Sequence, residues 1–135
     1  VGLGKLGAEV TFLGKRGTDE AGLFIESKLK EWNVKSIMVE SDSPTGQVLS
    51  VITPDAQRSM LTFLGAASEI NQTEISLETF KGYYLCHLEV YFLFNNEFAM
   101  KVLTLAKEAN CRVSLDLSSF CYLIDLYISF EYYFC

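Results

Sequence analysis

The chain has 135 residues, 50% hydrophobic and 21% charged. That is long and apolar enough to bury a core, which excludes a disordered segment. Its formal charge of −6, with Lys and Arg scattered along the chain, excludes a nucleic-acid backbone as partner.

Val1 to Gly7 reads as the last turns of a helix, with Gly7 as the stop. Gly2 to Gly7 also spells G-x-G-x-x-G. A dinucleotide fingerprint needs a strand before that string and a helix opening after it. Here the string precedes the first strand, so a dehydrogenase is set behind the readings below. Ala8 to Gly14 alternates as a strand does, with Val10 and Phe12 against Thr11. Asp19 is placed to cap the next helix, whose apolar face is predicted to hold Leu23, Phe24, Leu29 and Trp32, and Asn33 ends it. Lys35 to Glu40 is a second strand.

Gln47 to Thr53 and Arg58 to Leu64 are β-prone runs joined by Pro54-Asp55-Ala56-Gln57, which predicts a hairpin. Ser76 to Phe80 suits a short helical turn. Tyr83 to Val90 is almost wholly apolar on both faces, the pattern of a buried parallel strand. Asn95 or Asn96 caps a helix from Glu97 to Ala109 with a buried stripe of Phe98, Val102, Leu105 and Ala106, and Arg112 to Leu117 is a further strand. Strands alternating with helices mean βαβ units, an α/β chain with a mostly parallel sheet. The hairpin interrupts that rhythm.

The four cysteines, Cys86, Cys111, Cys121 and Cys135, include no C-x-x-C pair, and His87 is the sole histidine. No Cys/His metal spacing results, so these read as reduced thiols. Phe120 to Cys135 changes character: it holds seven of the eighteen aromatic residues, with Asp125 and Glu131 as its charges. It is too short and too polar for a membrane span, and its apolar exposure makes it an aggregation hazard.

Three segments in order carry a resemblance: GKRGTDEAG from Gly14 to Gly22, Thr45-Gly46 at the start of the hairpin, and Gly65-Ala66 at its end. Together they resemble the PfkB/ribokinase family of ATP-dependent sugar and nucleoside kinases. The resemblance covers Val1 to about residue 119 and implies a ribokinase-like α/β fold: a partial, mostly parallel sheet with flanking helices and a β-hairpin lid at approximately residues 36–67. Residues 120–135 read as a tail foreign to the family. The resemblance implies the N-terminal half of a kinase that uses ATP and Mg²⁺ to phosphorylate a hydroxymethyl group of a sugar or nucleoside. Within the family, HLEVY and LDLSSF lean toward the adenosine-kinase-like branch. It further implies a cytoplasmic or organellar protein, without nucleic-acid or membrane partners, in which the lid supports a homodimer of the parent.

The same resemblance places Thr45, Gly46, Gly65 and Ala66 beside the bound substrate. Glycine lets backbone approach a ligand closely, although turn chemistry accounts for these residues equally well. Glu89 is the leading substrate-binding residue. A carboxylate in a buried apolar strand is costly unless it sits at the strand's C-terminal end, where open α/β sheets bind ligands. Asp116, at the end of the next strand, is assigned to the metal-phosphate region, with helix capping or exposure as the alternative. His87 is expected to be a satisfied core histidine. The family's phosphoryl-transfer parts, a Gly-Ala-Gly-Asp anion hole bearing the base and an Asn-x-x-Glu magnesium motif, are expected to be missing. The chain by itself is therefore expected to be inactive and to fold poorly, its last core strand unpaired. The alternative is a non-catalytic binding or interaction module.

Overall fold

The computed structural model describes residues 1–89, 92 and 95–116. The predicted tail at 120–135, Val90 at the end of one strand run and Leu117 at the end of another fall outside these. The chain divides into two compact units, Val1–Ile70 and a second that begins at Asn71.

The first unit opens with a short helix, α1 (Gly2–Lys5), stopped at Gly7 with φ of 88°, as the glycine predicted. Strand β1 (Val10–Gly17) runs three residues past the predicted end at Gly14 and pairs in parallel with β2 (Val34–Ser41), from Val10 opposite Val34 to Gly17 opposite Ser41. Helix α2 (Glu20–Glu31) connects them; Asp19 caps it, accepting from the Gly22 amide at 2.9 Å. Its end is set by Asn33 in the left-handed region, φ 55°.

The predicted apolar face of α2 needs correction. Leu29 is buried, but Leu23 and Phe24 are exposed. The buried side runs instead through Gly22 and Leu29. At Gly22 it is backbone, not an apolar side chain, that makes the contact: an added Cβ would lie 2.4 Å from the Gly17 carbonyl.

The predicted hairpin is β3 (Gln47–Ile52) antiparallel to β4 (Arg58–Phe63), with Gln47 opposite Phe63 and Ile52 opposite Arg58. Its turn closes through the Ala56 amide on the Thr53 carbonyl at 2.8 Å, with Ala56 at φ 63°. Every residue of both strands is exposed. A 3₁₀ turn, Gly65–Glu69, follows and buries Ala66.

The second unit contains β5 (Leu85–Glu89), α3 (Asn96–Glu108) and β6 (Arg112–Asp116), with β5 and β6 parallel. Asn95 caps α3, accepting from the Phe98 amide at 3.1 Å, and the predicted stripe Phe98, Val102, Leu105 and Ala106 is buried together with Ala99. Phe80, Leu88 and Cys111 are also buried here. The expectation that β5 is buried on both faces fails: Leu88 is buried, whereas Leu85, His87 and Glu89 are exposed.

Candidate functional site

Thr45-Gly46 and Gly65-Ala66, twenty residues apart in the chain, meet at the base of the hairpin. The Ala66 amide donates to the Pro44 carbonyl at 2.8 Å. A Cβ on Gly65 would stand 2.2 Å from the Pro44 carbonyl oxygen, and one on Gly46 would stand 2.5 Å from the Leu64 carbonyl oxygen. No real Cβ tolerates such distances, so both positions require glycine for backbone contact, and Gly65 also for its φ of 49°.

Thr45 is 3% exposed. Its hydroxyl donates to Asp19 Oδ1 at 2.5 Å and accepts from the Gly17 amide at 3.0 Å, while its own amide donates to Asp19 Oδ2 at 2.8 Å. The Thr45 hydroxyl, then the Thr45 and Gly22 amides, hold the Asp19 carboxyl below the ordinary aspartate range. Gly17 must be glycine because a Cβ would lie 2.5 Å from the Ser43 carbonyl oxygen. The GKRGTDEAG segment thus serves as a built turn around Thr45, in line with its expected turn role.

Sequence reading missed two further carboxylate ties. Glu69 accepts from the Ser41 hydroxyl at 2.5 Å and from the Ser43 hydroxyl, and these two, in that order, lower its pKa. Arg16, one of the basic residues scattered along the chain, is 4% exposed. Its guanidinium meets Glu26 at 2.6 Å, Glu40 at 3.0 Å and the Gly17 carbonyl at 2.9 Å. The Glu26 hydrogen bond leads in holding it charged.

In the second unit, the register sets Glu89 opposite Asp116 at the C-terminal ends of β5 and β6, and His87 opposite Ser114. Side chains two apart share a strand face, so these four polar residues line one face. His87 Nδ1 lies 2.8 Å from Ser114 Oγ. His87 is exposed, which corrects its expected place in the core. Glu89 is exposed as well, so the burial cost that singled it out does not apply. Its candidacy rests on its place at the strand end, beside a second carboxylate. Of the described thiols, Cys111 is buried, donating to the Tyr83 carbonyl at 3.1 Å, and burial pushes the Cys86 thiol up.

The chain contains no Gly-Ala-Gly-Asp. The expected absence of Asn-x-x-Glu is corrected by the letters themselves, since Asn71-Gln72-Thr73-Glu74 spells it. There the pair closes a capping box: Asn71 Oδ1 accepts from the Thr73 amide at 3.0 Å and Glu74 Oε2 accepts from the Asn71 amide at 2.9 Å. Turn closure is the role these contacts give it. Among the described residues no group of three His, Cys, Asp or Glu side chains is arranged to hold a metal ion. None of the described helices is long and apolar enough to cross a membrane.

A parallel βαβ pair, a capped strand-to-helix turn and a hairpin sealed at its base define a ribokinase-like α/β fold. The chain belongs to the pfkB family of carbohydrate kinases, whose model matches residues 1–120. It is similar to adenosine kinase from Sinorhizobium meliloti, with a TM-score of 0.83 at 20% identity over 96% of this chain and 42% of that one. Fructokinase from Xylella fastidiosa with bound ATP gives 0.78 at 20% identity over 90% and 40%. Adenosine kinase from Anopheles gambiae, in complex with P1,P4-di(adenosine-5) tetraphosphate, gives 0.79 at 22% over 95% and 40%. The chain thus spans about two fifths of the structures it resembles. No curated protein matches it by sequence.

Proposed function

We propose that these residues form the acceptor-binding part of an ATP-dependent kinase that phosphorylates a hydroxymethyl group of a sugar or nucleoside. The supporting observation is the base of the hairpin. Two glycine-bearing segments close there on backbone contacts, and the hairpin beyond them is exposed throughout. A lid needs that combination of a fixed base and an apolar blade free to cover a ligand. Gly46, Gly65 and Ala66 shape the site with backbone. Thr45 acts through its position, because its hydroxyl and amide are engaged by Gly17 and Asp19. Glu89 accepts hydrogen bonds from substrate hydroxyls at the end of β5.

Asp116 lies on the metal side of this reading. Mg²⁺ is commonly held by one or two carboxylates together with substrate phosphates, and Asp116 fits that pattern better than a complete protein cage. The ion's chemistry would be to neutralise charge on the transferring phosphoryl group. The residues present do not fit ATP itself. The anion-hole string does not occur, and the N-termini of α2 and α3 are closed by the side chains of Asp19 and Asn95. No phosphoryl-transfer step is therefore assigned to these residues, and the 135-residue chain alone is inactive on this reading. The exposed apolar residues on both hairpin faces, Leu49 and Leu61 on one and Val48 and Met60 on the other, leave one face for substrate and one for a second copy of the parent. Adenosine kinases and fructokinase match about equally, so the acceptor class stays at sugar or nucleoside.

The test is ATP-dependent phosphorylation of ribose, fructose and adenosine by the full-length protein carrying these residues. Transfer to one of them is expected. Glu89→Gln is expected to raise KM for that acceptor by roughly tenfold or more, the loss of one or two hydrogen bonds to a charged group. No transfer to any acceptor would leave the binding-module reading.

A further inference from the structure

Both prolines of the chain follow a hydroxyl residue: Ser43-Pro44 at the base of the hairpin and Thr53-Pro54 at its turn. A hydroxyl followed directly by proline is what proline-directed protein kinases modify, and proline holds the residue before it extended. The structure separates the two positions. Ser43 is half-buried, and its contacts reach across the fold. Its hydroxyl donates to Glu69, its carbonyl oxygen would stand 2.5 Å from a Cβ on Gly17, and the Pro44 carbonyl beside it accepts from Ala66 at 2.8 Å. An enzyme could take Ser43 only by pulling the base of the hairpin apart. Thr53 and the turn as far as Gln57 are exposed, and the contacts of Thr53 close within that turn. Its amide donates to the Gln57 carbonyl at 3.0 Å and its carbonyl accepts from Ala56 at 2.8 Å. Its hydroxyl donates to Asp55 Oδ1 and, at 3.2 Å, to the Gln57 carbonyl. Opening such a turn costs little, because no packed residue moves with it.

The charges around Thr53 decide what a phosphate does there. A phosphothreonine carries about −1.5 to −2 at pH 7. The Thr53 hydroxyl leads in holding the Asp55 carboxyl below the ordinary aspartate range. Phosphorylation removes that donor and sets two anions side by side. Arg58 stands opposite Ile52, the residue before Thr53, and successive side chains of a strand point to opposite faces. Repulsion from Asp55 therefore outweighs attraction to Arg58.

We propose that Thr53 is a phosphorylation site for a proline-directed protein kinase, that Ser43 is shielded from it, and that the phosphate loosens the β3–β4 turn. The γ-phosphoryl group of ATP passes to Thr53 Oγ1: the new P–O bond forms as the bond to ADP breaks, and the hydroxyl proton leaves to a base of the modifying kinase. The site stands on the chemistry of the turn; its consequence for acceptor binding rests on reading the hairpin as cover for the acceptor.

The test is incubation of the full-length protein carrying these residues with ATP, Mg²⁺ and a purified cyclin-dependent protein kinase, followed by mass spectrometry. Cleavage after Lys35 and Arg58 puts both hydroxyls on one peptide, residues 36–58, whose fragments tell them apart. Thr53 is expected to gain phosphate at least about tenfold faster than Ser43. Thr53→Ala is expected to abolish that signal and Thr53→Ser to retain it. No phosphate on Thr53, or Ser43 modified as fast, would overturn the site. In the phosphorylated protein the Thr53 and Ala56 amides are expected to exchange about tenfold faster, with Gly17 and Thr45 unchanged. Slower exchange in the turn would mean that Arg58 captures the phosphate, and would overturn the loosening. KM for the acceptor is expected to rise several-fold on phosphorylation. A loosened turn with KM unchanged would overturn that consequence, together with the reading of the hairpin beneath it, and leave the modification site standing.

Discussion

Asp19 accepts from the Gly22 amide, the Thr45 amide and the Thr45 hydroxyl, and each of these bonds favours its ionised form. Its folded-state pKa is therefore depressed, first by the Thr45 hydroxyl, and Glu69 is depressed likewise by Ser41 and Ser43. A depressed carboxylate contributes stability that is present above its unfolded pKa and is lost as pH falls through the lower folded value. The window lies below pH about 4. Urea midpoints of the full-length protein and its Asp19→Asn variant are expected to differ at pH 7 and to converge as pH falls below about 4; a difference constant with pH would refute the assignment. Gly22 offers a second test at this scale. Within a helix, alanine normally exceeds glycine by about 1 kcal/mol. Here the new Cβ would lie 2.4 Å from the Gly17 carbonyl oxygen and 2.8 Å from Thr45 Oγ1. Overpacking of that kind costs about 1–3 kcal/mol, so the clash wins. Gly22→Ala is expected to lower the urea midpoint, by about 1 kcal/mol in stability after the helix gain is subtracted.

Among the elements, α3 and the hairpin stand at opposite extremes of burial. Phe98 is 1% exposed, and Phe98→Ala is expected to cost about 3–5 kcal/mol, a large part of a domain's whole stability. Leu49→Thr and Leu61→Thr, on exposed hairpin positions, are expected to fall within about 0.5 kcal/mol; denaturation of the three variants beside the parent checks both. The contrast also explains what could be read in advance. The stripe of α3 repeats at helical spacing from Phe98 to Ala106, and periodicity reports the buried face directly. On α2 the buried arc passes through a glycine, which has no apolar side chain to announce it, and Leu23 and Phe24 drew the reading to the wrong face. The apolar run of β5 signals a strand but not which of its faces is covered, so His87 and Glu89 came out exposed. At the hairpin base, the glycines and the cap at Asp19 were legible because turns and caps are local. The ties from Asp19 to Thr45 and from Arg16 to Glu26 and Glu40 span 26, 10 and 24 residues. Pairings at that distance leave no mark in a single sequence.

For the molecule as a whole, exposed apolar surface separates the two remaining readings of the 135-residue chain on its own. Parallel sheets are normally covered on both faces, and two-stranded sheets are marginal by themselves. Among the described residues β1–β2 and β5–β6 each contain two strands; Phe12, Leu23, Phe24, Ile37 and the hairpin strands stand exposed in the first unit, and Leu85 and Val113 in the second. Apolar exposure on that scale marks surfaces that a partner or further chain covers. A portion of a larger kinase would leave such surfaces bare when isolated, whereas a self-sufficient binding module would have been selected to bury them. The isolated chain is accordingly expected to bind a hydrophobic dye strongly, to self-associate, and to lose its structure over a broad urea range with a slope below about 1 kcal/mol/M, under the usual range for small cooperative domains. A sharp transition with a slope of about 1–3 kcal/mol/M, with little dye bound, would instead show a chain that closes its own core. Sugar or nucleoside affinity without turnover would then become the measurement that decides its role.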